Sequence, residues 1–250
     1  VLFRSYLDMT GLSQDIWKGR LSDLRDEIMS YMHIDPAAAP VPVSPGIHYF
    51  MGGIRVDAGH RTTISGLYAA GEAACRYHGA NRLGGNSMLG AIYGGRIAAS
   101  SALEDIAADP TNSSGAGSSG VTTVTRLSSD SVWPHGISSP ALRKQLMDIL
   151  TGGLGILRTK ESMEDALRQI DKLLNEDCSQ IDCYRILVGK AMLLSALERK
   201  ESRGSHTRLD YPNTSEEYRK FTVSGYSKGT INIDFVSADA PFSIAGGEEQ

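Results

Sequence analysis

Apolar residues fall at helical spacing early in this chain, where Leu24, Ile28, Tyr31 and Met32 recur on one face. The spacing predicts a mostly helical segment over residues 6–34, stopped by Asp35-Pro36. Pro36, Pro40, Pro42 and Pro45 then impose an extended path on residues 36–46, because proline fixes φ and donates no backbone hydrogen bond. Residues 47–57 read as strand material, with Ile47-His48-Tyr49-Phe50-Met51 and Ile54-Arg55-Val56-Asp57 around two glycines. A turn at 58–61 leads to Thr62-Thr63-Ile64, and residues 66–71 read as a short buried strand ending in glycine. A helix is expected from Asn86, with Met88, Leu89, Ile92, Ile97 and Leu103 as its apolar positions and Asn86 or Ser87 as its N-cap. Gly94 and Gly95 inside it weaken the helix and imply close approach of another backbone.

The pattern breaks at residues 109–139, where Asp-Pro-Thr-Asn-Ser-Ser-Gly-Ala-Gly-Ser-Ser-Gly is linker chemistry and marks a domain boundary. Helices resume at residues 140–150. Thr159 caps the next, in which Met163, Leu167, Ile170 and Leu174 follow 4-3-4 spacing. A third runs over about 181–200, and Arg199, Lys200 and Arg203 sit near its end, where cations complement the helix dipole. The tail alternates Ile231, Ile233 and Phe235 with Asn232 and Asp234 after a Ser227-Lys228-Gly229 turn, which predicts β structure.

Composition narrows the class. The 250 residues are 41% hydrophobic and 22% charged, enough apolar material for a sizeable core. A net charge of -4 argues against nucleic acid as the main partner, since phosphate binding needs a basic face. No apolar run reaches the roughly 18 residues of a bilayer span. The N-terminus carries no signal-peptide pattern and no Met, so the chain is expected to begin inside a larger protein. Cys75, Cys178 and Cys183 are odd in number, which predicts reduced thiols, a cytoplasmic setting and no metal site.

Candidate chemistry concentrates in residues 46–96. Gly115 to Gly120 fits G-x-G-x-x-G, but it neither follows a strand nor opens a helix, so it reads as linker. Glu72 follows Gly71 at the end of the expected strand and reads either as a surface residue of a turn or, because ligands bind there in open α/β sheets, as a carboxylate suited to sugar or ribityl hydroxyls. Gly84-Gly85-Asn86-Ser87 opens a helix that reads singly as capped with a packing glycine, although its free amides could also receive a phosphate or negative charge on a ligand ring. Arg82 offers a guanidinium fork for a carboxylate. His48 and His78 read singly as core histidines.

Three motifs in order change that reading. His48-Tyr49-Phe50-Met51-Gly52-Gly53-Ile54, Gly66-Leu67-Tyr68-Ala69-Ala70-Gly71-Glu72 and His78-Gly79-Ala80-Asn81-Arg82-Leu83-Gly84-Gly85-Asn86-Ser87 resemble the flavoprotein subunits of succinate dehydrogenase and fumarate reductase, a family that includes L-aspartate oxidase. Residues 199–206 and 209–212 resemble the same family's helical C-terminal domain. The resemblance implies an α/β plus α fold: the C-terminal part of a Rossmann-like FAD-binding domain over 1–108, then, after the linker, a three-helix-type domain with a short β tail over 140–250. It implies that His48 and Arg82 bind a small dicarboxylate. It also implies that Glu72, Gly71, Asn86, Ser87 and Met88 contact FAD. The reaction would move a hydride between a dicarboxylate carbon and flavin N5, with the cofactor carrying the redox chemistry.

The segment from Glu72 to Arg82 is one residue shorter than in better-known members. The proton-relay arginine is expected upstream of this chain, with Arg55 the nearest substitute, so no catalytic residue is assigned. The motifs favour succinate/fumarate chemistry, whereas Ser205-His206-Thr207 and Leu209-Asp210-Tyr211-Pro212 carry an aspartate-oxidase character. A third reading is a non-catalytic piece that docks an iron–sulfur subunit. A cytoplasmic chain, peripheral on the inner face of a membrane through partner subunits, is the expected setting.

Overall fold

The computed structural model describes residues 5–44, 46–74, 77–108 and 138–237. The chain divides into two compact units, residues 1–50 and 51–250. In the first, strand β1 (Ser5–Leu7) pairs antiparallel with β2 (Val41–Val43), with Tyr6 opposite Pro42. Between them lie α1 (Gln14–Lys18) and α2 (Ser22–Met32). The single helical stretch expected over 6–34 is therefore divided. Tyr6 and Leu7 are strand, and Gly19 ends α1. His33 closes α2 in the left-handed region (φ 56°), its N–H donating to the carbonyl of Met29. Arg25 forks onto Asp35 at 3.0 and 2.7 Å, which ties α2 to the proline-rich segment.

The second unit begins without the expected strands. Over 51–74 the backbone bonds into turns: Ile54 N–H to Ala73 O, Asp57 to Arg61, Thr62 to Leu67 and Ala69 to His60. One isolated bridge, Arg61 with Tyr68, is all that remains of sheet pairing. Glycines at 52, 53, 59 and 66 interrupt every run before a ladder can extend. Val56, Ala69 and Ala74 form a small buried cluster inside these turns. Helix α3 (Asn86–Ala108) follows, starting where expected. The sheets of the described residues are two antiparallel pairs, so the parallel layer of a Rossmann-like domain is not among them. The linker expected at 109–139 lies outside the described residues except for Ser138 and Ser139.

Three helices then share one core. These are α4 (Pro140–Leu154), α5 (Lys160–Leu174) and α6 (Gln180–Glu198). Met163, Ile170, Ile186 and Leu193 are completely enclosed between them. Gly153 lets α4 approach Ala166 of α5 and Leu193 of α6, and this packing carries α4 four residues past its expected end at Leu150. Each helix has a hydroxyl cap: Ser139 accepts from Leu142 N–H, Ser179 from Asp182 N–H, and Thr159 forms a capping box with Ser162. Burial would raise the Asp182 carboxyl, but donors from Ser139, Ser138, Ser179 and Arg185 hold it down to about 2.

Two expectations fail here. Cys178 and Cys183 are joined by a disulfide, with Cα atoms 6.0 Å apart, and are not free thiols. Helix α6 starts at Gln180, so its first turn brings Cys183 back beside Cys178, both buried. The second concerns the end of α6, at Glu198, before the cations read as its dipole partners. Arg208, 1% exposed, reaches back instead and donates to the carbonyls of Ala196 and Leu197 at 3.0 Å each. The described residues end in a hairpin of β3 (Lys220–Ser227) and β4 (Thr230–Ser237), packed on α6. Its Lys228-Gly229 turn has φ 50° and 80°, the geometry a two-residue hairpin requires. Among the described residues no helix is long and apolar enough to cross a membrane.

Candidate functional site

The motif segments of the second unit assemble on the first half of α3. Ile54 N–H donates to Ala73 O at 2.7 Å, and a side chain on Gly53 would collide with that same carbonyl. The end of the first motif is therefore pressed against the turn that carries Glu72. That turn, a 3-10 helix over Gly71–Ala73, starts from buried Gly71 at φ 62°. Gly71 lies flat on Ala91 of α3, where a Cβ would press on the helix backbone.

The third motif is seated through glycine on the helix side. Gly90 receives the His78 ring and the Tyr77 edge, and Gly94 receives Tyr77 Oη and the His60 ring. Gly94 thus makes the close approach its position implied, but the partners are rings and the Gly71 backbone. A Cβ on Gly95 would meet no described residue within 4 Å, so the close approach expected there is not seen. His60, 1% exposed and at φ 64°, joins the layers. Its Nδ1 lies 2.7 Å from Ala69 O and its Nε2 2.8 Å from Tyr77 Oη. The Nδ1–H tautomer satisfies both, donating to the carbonyl and accepting from the tyrosine.

At the other end of α3, Arg61 clamps Asp105 with Nε and Nη2, each at 2.7 Å. Tyr68 Oη donates to the same carboxylate at 2.5 Å. Arg61 and then Tyr68 pull the Asp105 pKa down to about 2. These residues were not singled out in the sequence. The available signal was Gly94 and Gly90, spaced four apart on one helix face and requiring bulky partners.

The site residues named from sequence fall as follows. Gly71 is buried and Glu72 is exposed on its turn. Asn86 and Ser87, half-buried, open α3 after Gly85 at φ 81°, and Met88 beside them is 66% exposed. Arg82 is half-buried four residues before the helix, and its Nη1 donates to Leu83 O at 3.2 Å. Gly71, Glu72, Arg82, Asn86, Ser87 and Met88 thus belong to one local assembly. His48 is exposed and belongs to the first unit. Arg55 is half-buried in the second unit.

Comparison with known proteins gives this assembly a class. Residues 4–88 match the family model described as an FAD binding domain, and residues 184–243 match that of the fumarate reductase flavoprotein C-terminus. The chain is a flavoprotein sequence with FAD as the indicated cofactor. It is 32% identical over 251 residues to a Haemophilus influenzae fumarate reductase flavoprotein subunit, covering 92% of this chain and 42% of that protein. It is 34% identical over 229 residues to a Streptomyces coelicolor L-aspartate oxidase, covering 84% of this chain and 38% of that protein. An E. coli quinol fumarate reductase structure superimposes with a TM-score of 0.75 at 28% identity, over 94% of this chain and 44% of that one. The chain belongs to the succinate dehydrogenase/fumarate reductase flavoprotein family of FAD-dependent oxidoreductases, which takes in the L-aspartate oxidases. It spans about two fifths of the length of the curated relatives it matches.

Proposed function

We propose that this chain contributes the dicarboxylate cations and part of the FAD cradle of an oxidoreductase that interconverts succinate and fumarate. The observation that carries the reading is the seating of the Glu72 turn and the Arg82 loop on one helix, α3. The residues present fit the cofactor's chemistry. Exposed Glu72 accepts hydrogen bonds from hydroxyls, the glycine-led start of α3 offers amides with partial positive charge, and exposed Met88 offers apolar surface. When bound, FAD supplies the hydride-accepting N5. Arg82 is the guanidinium for one carboxylate of the diacid, and the family resemblance alone makes His48 a dicarboxylate-binding residue. The amide end of α3 stabilises negative charge near residues 86–88. The division into residues 1–108 and 140–250 belongs to the same reading, as do an iron–sulfur subunit as partner and a peripheral place on the inner face of a membrane.

In the FAD-loaded holoenzyme, Arg82→Ala is expected to lower succinate turnover at least about a hundredfold while flavin content stays near parental. Parental turnover in that variant defeats the reading. A second reading, L-aspartate oxidase, draws on the 34% identity to the Streptomyces coelicolor enzyme and on Ser205 to Pro212. Side-by-side turnover of succinate and L-aspartate separates the two.

A further inference from the structure

We infer that the two-residue turn at 203–206 is a buttress that sets the position of Arg82, from across the chain and without touching substrate. Arg203 and His206 close the turn with mutual backbone hydrogen bonds of 2.9 and 3.0 Å. Gly204 forms its tip at φ 59°. That tip lies directly on Ala80, and a Cβ on Gly204 would run into the Ala80 carbonyl and methyl. Ala80 is two residues before Arg82, in a loop bounded by left-handed Gly79 and Gly85. Such a loop has backbone freedom that something outside it must remove.

Both feet of the turn are pinned. Arg203 Nε donates to Glu201 at 2.9 Å and its Nη2 to Ser215 O at 2.9 Å. Glu201, fully buried, also accepts from Arg199 at 2.5 Å and from Ser215 N–H at 2.9 Å. On the other foot, His206 Nδ1 accepts from Arg158 at 2.7 Å, and its Nε2–H donates to Arg199 O at 3.1 Å. Thr207 and Leu209 bond the Arg158 backbone at 3.0 and 2.8 Å. With both feet held by side-chain hydrogen bonds, the tip presents a fixed surface against which the Ala80 backbone of the Arg82 loop rests.

The inference rests on the proposed role of Arg82. In the holoenzyme, Gly204→Ala is expected to raise KM for succinate roughly tenfold with unchanged flavin content. Amide hydrogen exchange should quicken at residues 79–84 and stay parental in α5. Should Gly204→Ala fail to fold, His206→Gln decides the matter, since it frees one foot and keeps the tip. It should give the same exchange pattern and a KM rise of about threefold. Parental KM and parental exchange at 79–84 in a folded variant overturn the buttress. If Arg82→Ala itself keeps parental turnover, the function fails instead, and exchange at 79–84 still tests the contact.

Discussion

In the α4–α6 bundle, Met163, Ile170, Ile186 and Leu193 are wholly enclosed and every helix begins at a hydroxyl cap. Among the described residues of 51–108, Val56, Ala69 and Ala74 make up the enclosed apolar core, while Met88, Leu89 and Ile92 on α3 stay largely exposed. The first region is held by area removed from water, which is non-directional and tolerant of small shifts. The second is held by directed contacts: rings laid on glycines, a bidentate clamp at Asp105, and single backbone bonds such as Ile54 to Ala73. Directed contacts fix geometry at little cost in bulk, which suits a segment whose task is to present polar groups. The same substitution should therefore read out differently in the two regions.

The largest expected effect is in the bundle. Ile170→Ala leaves a cavity among α4, α5 and α6 and should cost about 3 kcal/mol in denaturant unfolding, with exchange at 60–78 unaltered. Loss of less than about 1 kcal/mol would mean the core is not the tight packing described. Gly94→Ala comes next, at about 2 kcal/mol, because its methyl enters the space of Tyr77 Oη. Its distinguishing sign is local: faster exchange around His60 and Tyr77, with the bundle untouched. Uniform loosening of both regions would erase the distinction. The smallest effect concerns pH. Burial, together with the Arg158 and Arg208 charges, pushes His206 down to about 4 from 6.5, against the pull of its bond to Arg199 O. The folded state then refuses a proton that the unfolded state takes, so stability should fall as pH drops from 6.5 toward 4. His206→Gln should flatten the melting temperature across that window. Below about 4 the depressed carboxyls of Asp182 and Asp210, each near 2, add a further loss in both proteins.

The helices were legible in the sequence because their signals are local. The 4-3-4 spacing from Met163 and the Thr159 cap need nothing beyond their own turn. The strands expected at 47–57 and 66–71 misread the same kind of signal. Apolar content there serves turns, and the partner of Ile54 N–H is a carbonyl nineteen residues on, at Ala73. The disulfide was hidden for a related reason: parity and spacing say nothing of where Gln180 starts a helix. Of the candidate site, the residue types of Glu72, Arg82 and 86–88 were readable. The rings that seat them, His60 and Tyr77, were not, since their partners lie across the fold; the Gly90 and Gly94 spacing alone hinted at them.

Gly90 and Gly94 also act as an index on α3. One glycine accepts the His78 ring and the other the Tyr77 hydroxyl. Sliding the helix by a residue would put Ala91 and Gly95, or Leu89 and Tyr93, beneath those groups. No such displaced alignment keeps both notches filled. The helix is thereby locked to a single axial setting, and the distance from its first amides to the Glu72 turn is decided one to two turns along the helix from those amides.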